Sequence, residues 1–161
     1  MKKYLFISFV FFLIDISLYS QSVSDYNFGF EESPQENGMP AKWFRMGSGD
    51  FTITTDSKTK YRGKSSALIN FRSGQFGAIG TAIPAPEVGT IVTVKAFMKL
   101  ENVSEPIGLM LRIDDENNKV LAFDNMMQKG IKGSSNWKEY SVTLPLPENA
   151  KRIDPQDTSG W

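Results

Sequence analysis

The chain has 161 residues, with Lys+Arg and Asp+Glu balanced at 18 each, and it contains neither histidine nor cysteine. That length suits one domain with one core, and the charge balance offers no basic field for nucleic acid or anionic lipid. Without histidine the commonest general base, the usual triads and most zinc sites are gone; without cysteine so are disulfides, thiolate nucleophiles, thiolate metal sites and a lipid-modified N-terminal Cys.

Residues 1–20 read as a signal peptide outside the fold. Lys2-Lys3 give a short basic start, and Tyr4 to Ile14 is an apolar run of leader length, too short to span a bilayer as a helix. Asp15 ends the run, and Ser17, Ser20 and Ser22 follow, so cleavage is expected within a few residues of Ser20 or Ser22. The competing reading, an uncleaved membrane anchor, is disfavoured by Asp15. Removal leaves no segment for stable membrane insertion. The expected location is therefore exported: periplasm, cell surface or medium. A cysteine-free exported domain of this size has enough core to fold without a disulfide staple.

Residues 23–153 show almost no helical periodicity. Short alternating apolar runs are separated by Gly, Pro, Asn, Asp and Ser, the pattern of an antiparallel β-sandwich. Tyr26, Phe28 and Phe30 are expected on one face of a first strand, and Phe51, Ile53 and Thr55 on one face of another. Gly63 and Ser65-Ser66 introduce a strand over residues 67–71. A further candidate over residues 76–85 is weakened by Gly77 and Gly80, and Pro84, Pro86 and Gly89 then form a turn. Val92, Val94, Ala96, Met98 and Leu100 make the longest clean alternation, opposite Thr93, Lys95, Phe97 and Lys99. Ile107, Leu109, Leu111 and Ile113 alternate next, with Met110 and Arg112 opposite. Asp114 to Lys119 reads as a hairpin loop. Tyr140, Val142, Leu144 and Leu146 alternate last. The tail over residues 154–161 is polar and contains Pro155, so it is expected to be disordered or foreign to the fold.

Two groups of residues carry a resemblance. Asn27-Phe28-Gly29-Phe30-Glu31-Glu32, then Trp43, then Gly63-Lys64-Ser65-Ser66-Ala67-Leu68, resembles the opening of carbohydrate-binding jelly rolls with a galactose-binding-like fold. Leu111-Arg112-Ile113-Asp114, Leu121-Ala122-Phe123-Asp124-Asn125-Met126, Ile131-Lys132-Gly133-Ser134 and Trp137-x-x-Tyr140 are similar to a non-catalytic module of secreted bacterial proteins. That module often precedes a tail-specific (C-terminal-processing) serine peptidase domain, and it also accompanies other exported or regulatory domains. The resemblance spans Asn27 to Ile153. It implies that the strand after Trp-x-x-Tyr leads to an apolar, glycine-containing stretch and a closing strand. Here Ala150-Lys151-Arg152-Ile153 runs instead into the polar tail. The departure implies a chain truncated or frameshifted near residue 154, with the closing strand missing.

Sugar-binding modules stack an aromatic ring on the apolar face of a sugar and set polar groups at its hydroxyls. Phe97 beside Lys95 and Lys99 fits that role, as do Met110 and Arg112 on a neighbouring strand with Trp137 nearby. The structural alternative is that Phe97 packs under a loop and Trp137 fills a strand-end gap. Buried aromatics outnumber binding ones, so that alternative carries the greater weight. Trp43 is expected in the core.

The resemblance implies a structural calcium near the first strand, with Glu31 or Glu32 as its carboxylate. Two solvated acids at a strand end is the favoured alternative, and no other cofactor is implied. Asp114-Asp115-Glu116-Asn117 lacks the spacing and glycine of an EF-hand and reads as a turn. Asp124-Asn125 suits a strand-to-loop transition in which both side chains accept backbone N–H groups, with an ion pair to Arg112 as the other reading. Neighbouring acids such as Asp114/Asp115 and Glu31/Glu32 point apart on strands and turns, unlike glycosidase pairs, and no catalytic centre is read.

The sequence therefore predicts an all-β, antiparallel, jelly-roll sandwich that is a non-catalytic accessory module of a larger exported protein. Its expected partner is carbohydrate. The alternative is a spacer or protein-interaction module packing on a companion peptidase or esterase domain, in which case a full-length parent is the hydrolase.

Overall fold

Period-two alternation of apolar residues builds nearly all of the molecule, because successive strand side chains face opposite sides. The structure is a computed structural model that describes residues 3–9, 23–86 and 91–153. Its strands are β1 Tyr4–Phe9, β2 Phe44–Met46, β3 Asp50–Asp56, β4 Ser66–Ser73, β5 Ala78–Gly80 and β6 Ile83–Pro84, followed by β7 Ile91–Ile107, β8 Leu111–Asp114, β9 Val120–Asp124, β10 Ile131–Pro145 and β11 Arg152–Ile153. A five-stranded sheet has the order β10-β7-β1-β4-β3, a four-stranded sheet β6-β11-β8-β9, and β2 pairs with β5. Every strand pair is antiparallel.

The two larger sheets face each other across one core. Ile7, Phe51, Ile53, Ile69, Ala96, Met98 and Val142 come from the first, and Leu111, Ile113 and Ile153 from the second. This is the antiparallel β-sandwich that the alternation predicts. Apart from Ala96, each such side chain contributes about 1.5–3 kcal/mol on burial, which offsets the entropy of ordering the strands. A separate small cluster of Phe30, Trp43 and Ala67 closes one end.

The structure differs from the sequence reading in two places. Val23–Tyr26 is a single 3₁₀ turn followed by a further turn over residues 27–29, and no strand runs through Tyr26, Phe28 and Phe30. The physical reason is Asn27. Its backbone is left-handed (φ 50°), its Oδ1 accepts from the N–H groups of Glu31 (2.8 Å) and Glu32 (3.1 Å), and its Nδ2 donates to the Ala41 carbonyl (3.0 Å). These local bonds satisfy the backbone that a strand would have paired.

The second difference concerns residues 1–20, expected outside the fold. Tyr4–Phe9 instead forms the central strand of the five-stranded sheet, bonded to β7 on one side and β4 on the other. A six-residue run with three aromatics, a leucine and an isoleucine has the character of a buried strand as much as of a leader, and hydrophobicity alone does not separate the two. The expected cleavage positions Ser20 and Ser22 lie outside the described residues, as do Gly89 and the tail over residues 154–161.

Chain order is otherwise close to the reading. The Asp115–Lys119 hairpin closes through Asp115 N–H to the Lys119 carbonyl (3.0 Å), with Asn118 left-handed at φ 65°. Residues 150–153 return into the four-stranded sheet, where β11 lies between β6 and β8. The alternation from Ile107 to Ile113 is broken, because Ile107 ends β7 and Leu111 begins β8.

Candidate functional site on the outer face of the five-stranded sheet

On β7, Ala96, Met98 and Leu100 are buried towards the core, so Lys95, Phe97 and Lys99 face outwards. On β10, the registers Tyr140↔Ala96 and Val142↔Val94 turn Tyr140 and Val142 inwards and Glu139, Ser141 and Thr143 outwards. Between Ser135 and Lys138 the register slips, so Trp137 sits in a bulge. Trp137 keeps the parity of Glu139, Ser141 and Thr143, so the indole lies on the outer face with them. Its ring lies 6.4 Å from Phe6 of β1, edge-on.

The third aromatic comes from outside the sheet. Tyr61, in the loop between β3 and β4, lies flat on Phe97 with ring centroids 3.7 Å apart and planes within 10°. It is also 6.1 Å from Trp137, inclined by 56°, and keeps 43% of its surface exposed. Phe97 is thus covered by a loop, as the structural alternative foresaw, but the ring that covers it is itself presented to solvent. The result is an aromatic corner: one wall is the Tyr61–Phe97 stack and the other is Trp137. Beside it lies the Lys95–Glu139 ion pair (3.9 Å); further along the same face of β7 and β10 the hydroxyls of Thr93 and Thr143 hydrogen-bond each other (2.9 Å).

The loop is held in place by backbone-directed bonds. Both carboxylate oxygens of Glu31 accept from Lys64 N–H (2.9 and 3.0 Å). Ser66 Oγ donates to the Thr59 carbonyl (2.6 Å), and Lys58 N–H to Asp56 Oδ1 (2.7 Å). Gly63 is required beneath Glu31, since its φ is +74° and a Cβ there would stand 2.1 Å from Glu31 Oε1. Glu31, one of two acids that the resemblance offers as a calcium carboxylate, anchors the loop that carries Tyr61. Glu32 pairs with Lys42 at 2.5 Å. Among the described residues no three acids gather into a metal-binding group.

Met110 and Arg112 are not part of this corner. Arg112 belongs to β8 in the other sheet and is buried; its Nε donates to Asp114 Oδ1 at 2.8 Å. Asp114 is fully buried and also meets Arg152 Nη2 of β11 at 3.3 Å. One carboxylate thus joins two guanidinium groups and ties β11 to β8, a structural use of charge in a place where an unpaired ion is costly. Met110 borders an apolar cavity of about 310 Å³ that reaches Ile7, Ile69, Phe71 and Leu111. Asp124 Oδ1 accepts from Met126 N–H (2.7 Å) and Asn125 Oδ1 from Met127 N–H (3.1 Å), the backbone-satisfying role read from the sequence.

Of the residues that sequence reasoning singled out for a ligand, the structure brings together Phe97 and Trp137. It adds Tyr61, which no periodicity marks because it lies in a loop. An aromatic between turn residues was the only available signal.

No family model matches this sequence. A curated relative, described as an uncharacterized HTH-type transcriptional regulator, YbfP, of Bacillus subtilis, is 30% identical over 130 residues, covering 76% of this chain. This chain spans 44% of that relative's length. The described residues contain no α-helix, so a helix-turn-helix has no counterpart among them. Among solved structures, the CBM22-1 xylan-binding domain of Paenibacillus barcinonensis Xyn10C is 14% identical with a TM-score of 0.49, over 78% of this chain and 77% of that one. The C-terminal family 22 carbohydrate binding module of Clostridium thermocellum Xyn10B is 15% identical with a TM-score of 0.43, over 78% and 89%.

Proposed function

We propose that this chain is a non-catalytic binding module that docks carbohydrate on the aromatic corner formed by Tyr61, Phe97 and Trp137. The observation that carries the reading is Tyr61, stacked on Phe97 at 3.7 Å yet 43% exposed, with Trp137 6.1 Å away. Ring–ring contact on its inner side fixes the tyrosine, so its outer face is offered at little entropic cost. Pyranose rings carry axial C–H groups on one face and hydroxyls on the rim. The tyrosine ring takes the first, and the Lys95–Glu139 pair stands by for the second.

Geometry limits how the sugar sits. A ring sandwiched between two aromatic planes needs roughly 7–8 Å, two contact distances. Tyr61 and Trp137 are 6.1 Å apart, so the sugar rests on the tyrosine face with the indole as a side wall. One such platform gives modest affinity, in the range of about 1 mM to 1 μM.

The test is affinity electrophoresis of the full chain against soluble xylans, β-glucans, galactans and mannans, alongside Tyr61→Ala. Retardation by at least one polysaccharide that is lost in the variant supports the reading. Equal mobility in every gel overturns it.

A second reading has its own support. The chain aligns with less than half of a longer regulator, which fits a module that packs on a companion domain. The companion is then a regulatory domain as readily as a peptidase. Loss of the companion's stability or response on deletion of the module, with no glycan retained, favours this reading.

A further inference from the structure

The five-stranded sheet carries the aromatic corner on two halves whose backbone ladders, among the described residues, are joined through β1. Tyr61 belongs to the β3–β4 side, and Phe97 and Trp137 to the β7–β10 side; in the order β10-β7-β1-β4-β3 the strand between the halves is Tyr4–Phe9. It pairs with β7 from Tyr4↔Glu101 to Phe9↔Ala96 and with β4 from Tyr4↔Asn70 to Ile7↔Ala67. Its two faces are both used. Ile7 is buried in the core with Leu5 packed beside it, while Phe6, on the outer face, is only 6% exposed beneath Trp137. Lys3 Nζ adds a bond to Ser104 Oγ (2.6 Å). Without this strand, β4 and β7 would stand about two strand spacings apart, roughly 9.5 Å. That is too far to pair, and each would present a row of open N–H and C=O groups.

The same residues open the apolar run that reads as a leader. We propose that Tyr4–Phe9 is the strand that assembles the aromatic corner, so that retention of the N-terminal segment sets whether the site exists. Removal of residues 1–20 opens a slot between β4 and β7, and the Tyr61–Phe97 stack loses the sheet that joins its two halves. The slot accepts one kind of occupant: an extended strand with alternating large apolar residues, of which Tyr4–Phe9 is the cognate example. The proposal rests on the carbohydrate reading only for what the corner binds; the assembly itself is independent of any ligand.

The test uses the full chain, a chain beginning at residue 21, and a synthetic peptide of residues 3–9. Backbone amide exchange is followed at residues 67–70 of β4 and 96–101 of β7, together with the Trp137 indole N–H resonance. In the full chain those amides should exchange at least 100-fold more slowly than in the shortened chain, and the peptide, but not a scrambled one, should restore both protection and the Trp137 resonance. Unchanged protection and an unchanged Trp137 resonance in the shortened chain overturn the proposal. So does failure of the peptide to restore either. Phe6→Ala in the full chain keeps the strand pairing while removing the ring under Trp137. It should shift the Trp137 resonance and weaken polysaccharide retardation about fivefold, and an unshifted resonance counts against the proposal. If no glycan is ever retained while the exchange results hold, the carbohydrate reading fails and the assembly role of β1 stands.

Discussion

Tyr61 rests on Phe97 at a 3.7 Å ring separation although their elements share no backbone ladder: one is a loop between β3 and β4, the other the middle of β7. The stack holds one face of a tyrosine that keeps 43% of its surface exposed, and the proposed carbohydrate reading rests on that combination.

Tyr61→Ala should cost the fold at least about 0.5–1.5 kcal/mol, the worth of its stack on Phe97 beyond the area it buries. It should reduce polysaccharide affinity by about tenfold, while Tyr61→Phe leaves both near their starting values. Urea unfolding and affinity electrophoresis on the same preparations separate the two effects.

Glu31→Ala should loosen the loop that presents Tyr61. Both of its oxygens meet the Lys64 N–H at the surface, and their loss leaves that donor to water, a cost of about 0.5–1.5 kcal/mol. Glycan affinity should fall with the mobility of the loop, and the melting midpoint should be insensitive to a calcium chelator. A chelator-induced drop in the midpoint of the parent chain would instead restore calcium to Glu31.

Asp114→Asn should be the most destabilising of these single changes. It leaves Arg112, and Arg152 of β11, facing a neutral amide inside the second sheet. Breaking a buried pair in this way costs about 3–5 kcal/mol. Replacing Arg112 by Met leaves the fully buried Asp114 carboxylate with Arg152 and should approach the same cost. Neither change should alter glycan affinity of the folded fraction, since both lie in the opposite sheet. Denaturant midpoints and binding isotherms check the two statements.

Asn27→Ala should cost about 3 kcal/mol. Three side-chain hydrogen bonds are lost at about 1 kcal/mol each, and alanine is less tolerant of φ 50° than asparagine. Asn27→Gly restores the dihedral without the bonds and should recover only the smaller part. The comparison of the two melting curves isolates the backbone contribution.

Much of the architecture was legible because it is written locally. Alternation in Val92–Leu100 and Tyr140–Leu144 has a period of two, and a period of two with buried apolar residues has one solution, a strand with one face on a core. The Asp115–Lys119 turn and the Asp124-Asn125 step were legible for the same reason: short polar side chains satisfy backbone groups two to four residues away. Tyr26–Phe30 misled because alternation of aromatics there competes with Asn27, whose side chain wins the backbone donors.

The candidate site was only half legible. Phe97 could be placed outwards by parity, and so could Trp137, which shares the parity of Glu139, Ser141 and Thr143; that the two rings meet depends on the β10–β7 register, which no local pattern carries. Arg112 fitted the polar role by position, yet its guanidinium is spent on a buried carboxylate two residues along the strand.

By itself the sequence determined that the chain is an antiparallel β protein with no histidine or thiol chemistry, because composition and period are properties of neighbouring residues. Tertiary structure alone decided that Tyr61 covers Phe97, that Asp114 gathers Arg112 and Arg152, and that Tyr4–Phe9 holds the centre of a sheet. Each of these joins residues distant along the chain. Such contacts follow from which strand lies beside which, and an apolar run does not carry that information until its partners have folded around it.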